Sequence, residues 1–94
     1  MIRIDRIDRI DRIFREALNV DVPSSTTDVI TAGLLDSLAV VTLLFEVERE
    51  FDLRIPPEDV DIENLRTIDR IAALTGRLAF QRDLPAPADD GQRT

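Results

Sequence analysis

Residues 33–56 read GLLDSLAVVTLLFEVEREFDLRIP, and the fold turns on this stretch. Val40, Leu43, Leu44, Val47 and Phe51 recur at i, i+3, i+4, i+7 and i+11, which predicts a helix over 37–51 with one apolar stripe. Asp36 stands where an N-cap belongs, and its charge suits the positive end of the helix dipole. Val41 and Phe45 lie off the edge of the stripe and are expected to stay partly exposed. The following DLRIPPED ends the helix, its two prolines serving as the stop.

Upstream, residues 1–20 repeat Ile-Asp-Arg. Asp5 precedes Arg9, Asp8 precedes Arg12 and Asp11 precedes Arg15, each by four positions, the favourable order for helical ion pairs. A period of three drifts around a helix of 3.6 residues per turn, so the isoleucines do not share one stripe. Ile7, Ile10, Phe14, Ala17 and Leu18 form the better core face. Residues 1–5 are expected to overhang it. Residues 19–36 form a long connection, with turn signals at Pro23, the Ser-Ser-Thr-Thr run and Gly33. Its Val29, Ile30, Leu34 and Leu35 are expected to pack over the core.

Downstream, PEDVDIENL suits one short helical turn anchored by Val60, Ile62 and Leu65. Thr67 can cap a last helix, IDRIAALTGRLAF, whose inner face is Ile68, Ile71, Ala72, Thr75 and Leu78. Gly76 weakens that helix or marks its end. Residues 81–94 have the composition of a flexible tail. No strand pattern survives. The expectation is an all-α fold: a small four-helix bundle of three main helices and one short one, with a long loop between helices one and two, in a single domain over residues 6–80.

Composition excludes much. The 94 residues include no cysteine, histidine or lysine. There is thus no disulfide, no thiolate metal site and no histidine base. The net charge is −7. Residues 1–16 hold five arginines against four carboxylates, so the remainder carries −8. That argues against nucleic acid, and for basic protein partners or plain solubility. No apolar run approaches the ~20 residues of a membrane span, and a cytoplasmic, monomeric protein is expected.

The carboxylates give no persuasive catalytic site, since no Trp or Tyr and little spare area remain to build a pocket. Asp59, Asp61 and Glu63 alternate like a calcium loop but lack its glycine and terminal glutamate. No metal site and no catalytic residue are expected. Ser37 is the remaining oddity: a hydroxyl at the mouth of a helix, with no base, orienting group or oxyanion hole to make it a nucleophile in cis.

At this point the residues resemble a family. Asp36-Ser37-Leu38 after Gly33, the aliphatic helix ending through Glu48, Glu50 and Phe51, and ENLRTIDRIAAL before the last helix are similar to the acyl and peptidyl carrier proteins. The resemblance covers roughly residues 6–80 in order and spacing. It implies that Ser37 is the site where a separate phosphopantetheinyl transferase attaches 4′-phosphopantetheine from coenzyme A, flanked by Asp36 and Leu38. A phosphodiester there would sit at a helix N-terminus, which favours an anion. It also implies a loading ligase or acyltransferase and a downstream synthase or transferase as partners, met through Leu38, Val41, Phe45, Glu46 and Glu48.

Fatty-acid-type carriers usually place an acid just after the leucine and another three residues later. Here Ala39 and Thr42 stand in those places, and Arg49 interrupts the glutamates. The chain therefore looks closer to stand-alone carriers, and a discrete carrier of a polyketide or nonribosomal-type natural-product pathway is expected. The alternatives are a D-alanyl carrier protein of cell-wall modification or, from another class, an unmodified helical adaptor.

Overall fold

The structure is a computed structural model and describes residues 2–83. Helix α1 spans Ile2–Glu16, α2 Ser37–Phe51, α3 Ile62–Leu65 and α4 Ile68–Arg82, with a single 3₁₀ turn at Pro57–Asp59. Among the described residues there is no strand, so the chain is the all-α bundle expected, with three long helices and one short one.

The ion pairs that favour α1 form in part: Arg9 meets Asp5 at 3.3 Å and Arg15 meets Asp11 at 3.1 Å, whereas Asp8 and Arg12 form no pair. The buried face of α1 is Ile10, Ile13 and Phe14, with Ile7 and Leu18 packed at its edge. Ala17, expected in the core, is exposed, because α1 has ended at Glu16 and the chain is already turning. Asn19 completes that turn in the left-handed conformation, φ 60°.

Helix α2 buries Leu43, Val47 and Phe51, with Val40 and Leu44 at the margin. Its stop is not the proline pair. Asp52 adopts φ 53°, and the Leu53 N–H returns to the Glu48 carbonyl at 3.1 Å, closing the helix four residues before Pro56. Pro57 instead opens the 3₁₀ turn, where its missing N–H costs nothing.

Asp61 caps α3, accepting from the Asn64 N–H, and Thr67 caps α4, accepting from the Arg70 N–H. Only Leu65 of the three anchors expected around α3 is buried; Val60 and Ile62 face outward, since one helical turn has room for a single inward side chain. Helix α4 buries Ile68, Ile71, Ala72, Thr75 and Leu78 as expected, and Leu74 besides. Gly76 lies within it and does not end it.

Helix α4 packs chiefly on α1 and on α3, and α1 packs on α2. The boundaries expected at 5 and 80 differ from the helices. Position 5 is inside α1, where Asp5 holds Arg9. Helix α4 continues to Arg82, whose guanidinium donates to the Phe51 and Asp52 carbonyls at the end of α2. The rest of the expected tail, residues 84–94, lies outside the described residues, as does Met1.

The long connection is built, not slack. Val29 is fully buried, and Ile30, Leu34 and Leu35 pack against the core. Two backbone bonds fasten it to the α3–α4 junction, Val29 N–H to the Arg66 carbonyl at 2.9 Å and Asp69 N–H to the Ser25 carbonyl at 3.0 Å.

Candidate functional site

Gly33 turns the chain with φ 73°, a conformation that favours glycine, and residues 34–36 lead directly into α2. Asp36 is extended, and its carboxylate accepts the Ala39 N–H at 2.8 Å while its carbonyl accepts the Val40 N–H at 2.9 Å. Two first-turn donors, the N–H groups of Ser37 and Leu38, have no acceptor in the described chain. Ser37 is exposed at the first helical position.

Its hydroxyl is also uncommitted. The hydroxyls of Ser24, Thr26, Thr27, Thr31, Thr67 and Thr75 each bond within the chain; among the described residues those of Ser25, Ser37 and Thr42 do not, and of these three Ser37 is the exposed one. No histidine, cysteine or lysine exists to activate it. Among the described residues no group of carboxylates is placed to hold a metal ion. The site presents a hydroxyl and two free amides at the positive end of a 15-residue helix, and no side chain among the described residues is hydrogen-bonded to that hydroxyl.

Leu38, Val41 and Phe45 continue from Ser37 along the outer side of α2, exposed by 75, 63 and 60 %. At 100° per residue they fall within an arc of about 60° and form one apolar strip. The two glutamates expected beside them each make a contact within the chain. Glu46 is turned aside to pair with Arg49 at 3.2 Å. Glu48 accepts the Ile55 N–H at 2.7 Å and so fastens the chain after α2. Sequence reading missed that role, although Ile55 precedes a proline outside any helix, where a backbone donor needs a side-chain acceptor. It also missed Phe80, an exposed aromatic on α4.

The family model described as the phosphopantetheine attachment site matches residues 8–75. The chain belongs to this family of phosphopantetheine-binding carrier proteins. It is similar to D-alanyl carrier proteins of Lactococcus lactis subsp. cremoris, strains MG1363 and SK11, and of subsp. lactis strain IL1403. Each is 37 % identical over 60 residues, which cover 64 % of this chain and 67 % of the relative.

The family's prosthetic group is a covalently attached 4′-phosphopantetheine, and the geometry at the start of α2 fits it. The free Ser37 and Leu38 amides can receive phosphate oxygens at the helix N-terminus. The Asp36 carboxylate, committed to Ala39, is held as a cap. Among the described residues no helix is long and apolar enough to cross a membrane.

Proposed function

We propose that Ser37 carries the phosphopantetheine arm and that the chain holds an acyl or aminoacyl group on it as a thioester, passing it between enzymes without catalysis of its own. The observation that carries this reading is the free, exposed hydroxyl at the first position of α2, beside two unpaired amides. The arm supplies the thiol that this cysteine-free chain lacks. The chain supplies the anchoring oxygen, the amides that orient a phosphate, and the apolar strip that partners approach. Those partners are a phosphopantetheinyl transferase, a loading ligase or acyltransferase, and a downstream synthase or transferase. An unmodified adaptor would need none of these features.

Two cargoes have specific support. Similarity to D-alanyl carrier proteins makes D-alanine the first to test. Ala39, Thr42 and Arg49, where fatty-acid-type carriers hold acids or an unbroken acidic run, favour a discrete natural-product carrier as the second reading.

The test is intact mass after incubation with coenzyme A and a broad-specificity phosphopantetheinyl transferase. A gain of one phosphopantetheine, absent from Ser37→Ala, supports the reading. No gain on folded protein removes Ser37 from it. Loading of the modified chain by a D-alanine-activating ligase then separates the two cargoes.

A further inference from the structure

Arg66, between α3 and α4, grips the connection that leads to Ser37 with both its backbone and its side chain. Its carbonyl accepts the Val29 N–H, and its guanidinium donates to the Asp28 carboxylate while pairing with Glu63. Asp28 and Val29 are adjacent, so the two contacts hold one point of the connection. From that point backbone bonds run forward. The Asp28 carbonyl accepts the Ala32 N–H at 3.0 Å, the Ile30 carbonyl the Gly33 N–H at 3.1 Å, and the Val29 carbonyl the Leu34 N–H at 2.9 Å. Fully buried Val29 is the pivot: Arg66 holds its N–H, and its carbonyl holds Leu34, just ahead of Asp36 and Ser37.

In loading, the Ser37 oxygen bonds to the pantetheine-bearing phosphorus of coenzyme A. The phosphoanhydride bond breaks, the adenosine bisphosphate half leaves, and the hydroxyl proton passes to a base of the transferase. What this chain contributes is the place at which that hydroxyl is met. On the side of α2 the place is set by the Asp36 cap. On the other side it is set by the connection, which is fastened at Arg66. We propose that Arg66 is a positioning residue for phosphopantetheine transfer, acting through Asp28, Val29 and Leu34 to hold the entrance of α2 in the arrangement that the transferase engages. The inference rests on the reading of Ser37 as the attachment site. A loosened entrance leaves a smaller fraction of molecules competent to bind, and apparent affinity falls by that fraction. Chemistry in the bound complex is unchanged, because Arg66 touches none of the reacting atoms. The signature is a raised KM at constant kcat.

The experiment measures loading of the full chain by a broad-specificity phosphopantetheinyl transferase with saturating coenzyme A. The chain is the varied substrate, at a temperature where circular dichroism shows the variants folded. Arg66→Gln releases Asp28. Asp28→Asn keeps the Oδ1 that accepts the Ile30 and Thr31 N–H groups and replaces the oxygen that faces Arg66. Arg66→Lys keeps a cation without the guanidinium fork. Arg9→Gln cuts ion pairs at the opposite end of α2.

The expected result is a KM raised about threefold or more for Arg66→Gln and Asp28→Asn, with kcat within about twofold of the parent. Their double variant should be no worse than the worse single one, because both cut one link. Arg66→Lys should fall between parent and Arg66→Gln, and Arg9→Gln should keep its KM within about twofold. Amide exchange at Gly33 and Leu34 should quicken in Arg66→Gln and Asp28→Asn but not in Arg9→Gln.

An unchanged KM, a loss confined to kcat, or an equal rise with Arg9→Gln overturns the proposal. Should Arg66→Gln fail to fold, Asp28→Asn decides by the same criteria. A folded parent that takes up no phosphopantetheine sinks the reading of Ser37 and the role of Arg66 with it. A parent that loads, beside variants that load as well, sinks the role of Arg66 alone.

Discussion

The Asp28 carboxylate meets the Arg66 guanidinium at 2.7 Å, joining residues 38 positions apart. Asp28 sits in the connection that leads to Ser37, and Arg66 sits between α3 and α4. The same Asp28 side chain accepts the Ile30 and Thr31 N–H groups, and Arg66 also pairs with Glu63 at 3.1 Å. One carboxylate thus folds its own turn and ties that turn to the bundle. This is how a connection too long to be an ordinary helix–helix loop is held in place.

These contacts lower the Asp28 pKa from 3.8 to about 2, first through the Thr31 N–H and then through Arg66. A depressed carboxylate stabilises the folded state in full above its unfolded pKa and ceases to do so as pH falls through its folded one. The contribution is therefore present at neutral pH and lost on descending from 3.8 to about 2. Asp28→Asn should be the less stable protein at pH 7, and its thermal midpoint should fall less steeply across that acid window. Parallel midpoint curves for the two proteins would show that Asp28 is not the group responsible.

Ser37 and Asp36 are adjacent, yet their alanine variants should separate function from stability. Asp36→Ala removes the cap on Ala39 and should cost about 0.5–2 kcal/mol. Ser37→Ala removes no bond within the chain and should stay within about 0.5 kcal/mol while abolishing phosphopantetheine loading. Urea unfolding alongside intact mass reads both effects.

The glycines at 33 and 76 should respond to alanine with opposite signs. A methyl group at Gly76 would meet nothing closer than Arg6 Nε at 3.8 Å, an ordinary contact within a helix. Gly76→Ala should therefore stabilise by up to about 1 kcal/mol. Gly33 has open space around it but φ 73°, so Gly33→Ala should destabilise by about 1 kcal/mol through the backbone alone. Thermal midpoints of the two variants should move apart from the parent value.

Leu74 is 2 % exposed and Phe45 is 60 % exposed. Leu74→Ala should cost about 2–5 kcal/mol, because it leaves a cavity in the packed centre. Phe45→Ala should change stability by no more than about 0.5 kcal/mol, and any loss of partner binding it causes is then a surface effect. Denaturant midpoints measured on both variants decide this.

The long helices were legible because their apolar residues recur at helical spacing and their caps are chemically explicit. Asp36 and Thr67 cap as read, and the stripe of α2 is buried from Leu43 to Phe51. What patterning missed depends on partners distant in sequence. Ile13 and Ala17 exchange places between expectation and structure because the Ile-Asp-Arg period is compatible with more than one face, and the exit at Asn19 settles which is used. Leu74 is buried because α1 and α3 both lie against α4 and widen its inward side. The bond from the Ile55 amide to Glu48 is not legible in sequence, because a helix pattern shows which side chains face out, not which backbone donor further along will claim one.

The two ends of α2 are held very differently. At its C-terminus, Arg9 from α1 lies 4.5 Å from the centre of the Phe51 ring and donates to the Glu50 carbonyl at 2.9 Å, and Arg82 from α4 reaches the Phe51 and Asp52 carbonyls. At its N-terminus, among the described residues, the first turn is held by the Asp36 cap and by Val40 at the core margin, with no side chain from another helix bonded to it. Amide hydrogen exchange along α2 should accordingly follow a gradient, slowest toward Phe51 and fastest at Leu38. The helix is thus a beam clamped at one end, and its Ser37 turn should open more readily than its Phe51 turn while the bundle beneath stays folded.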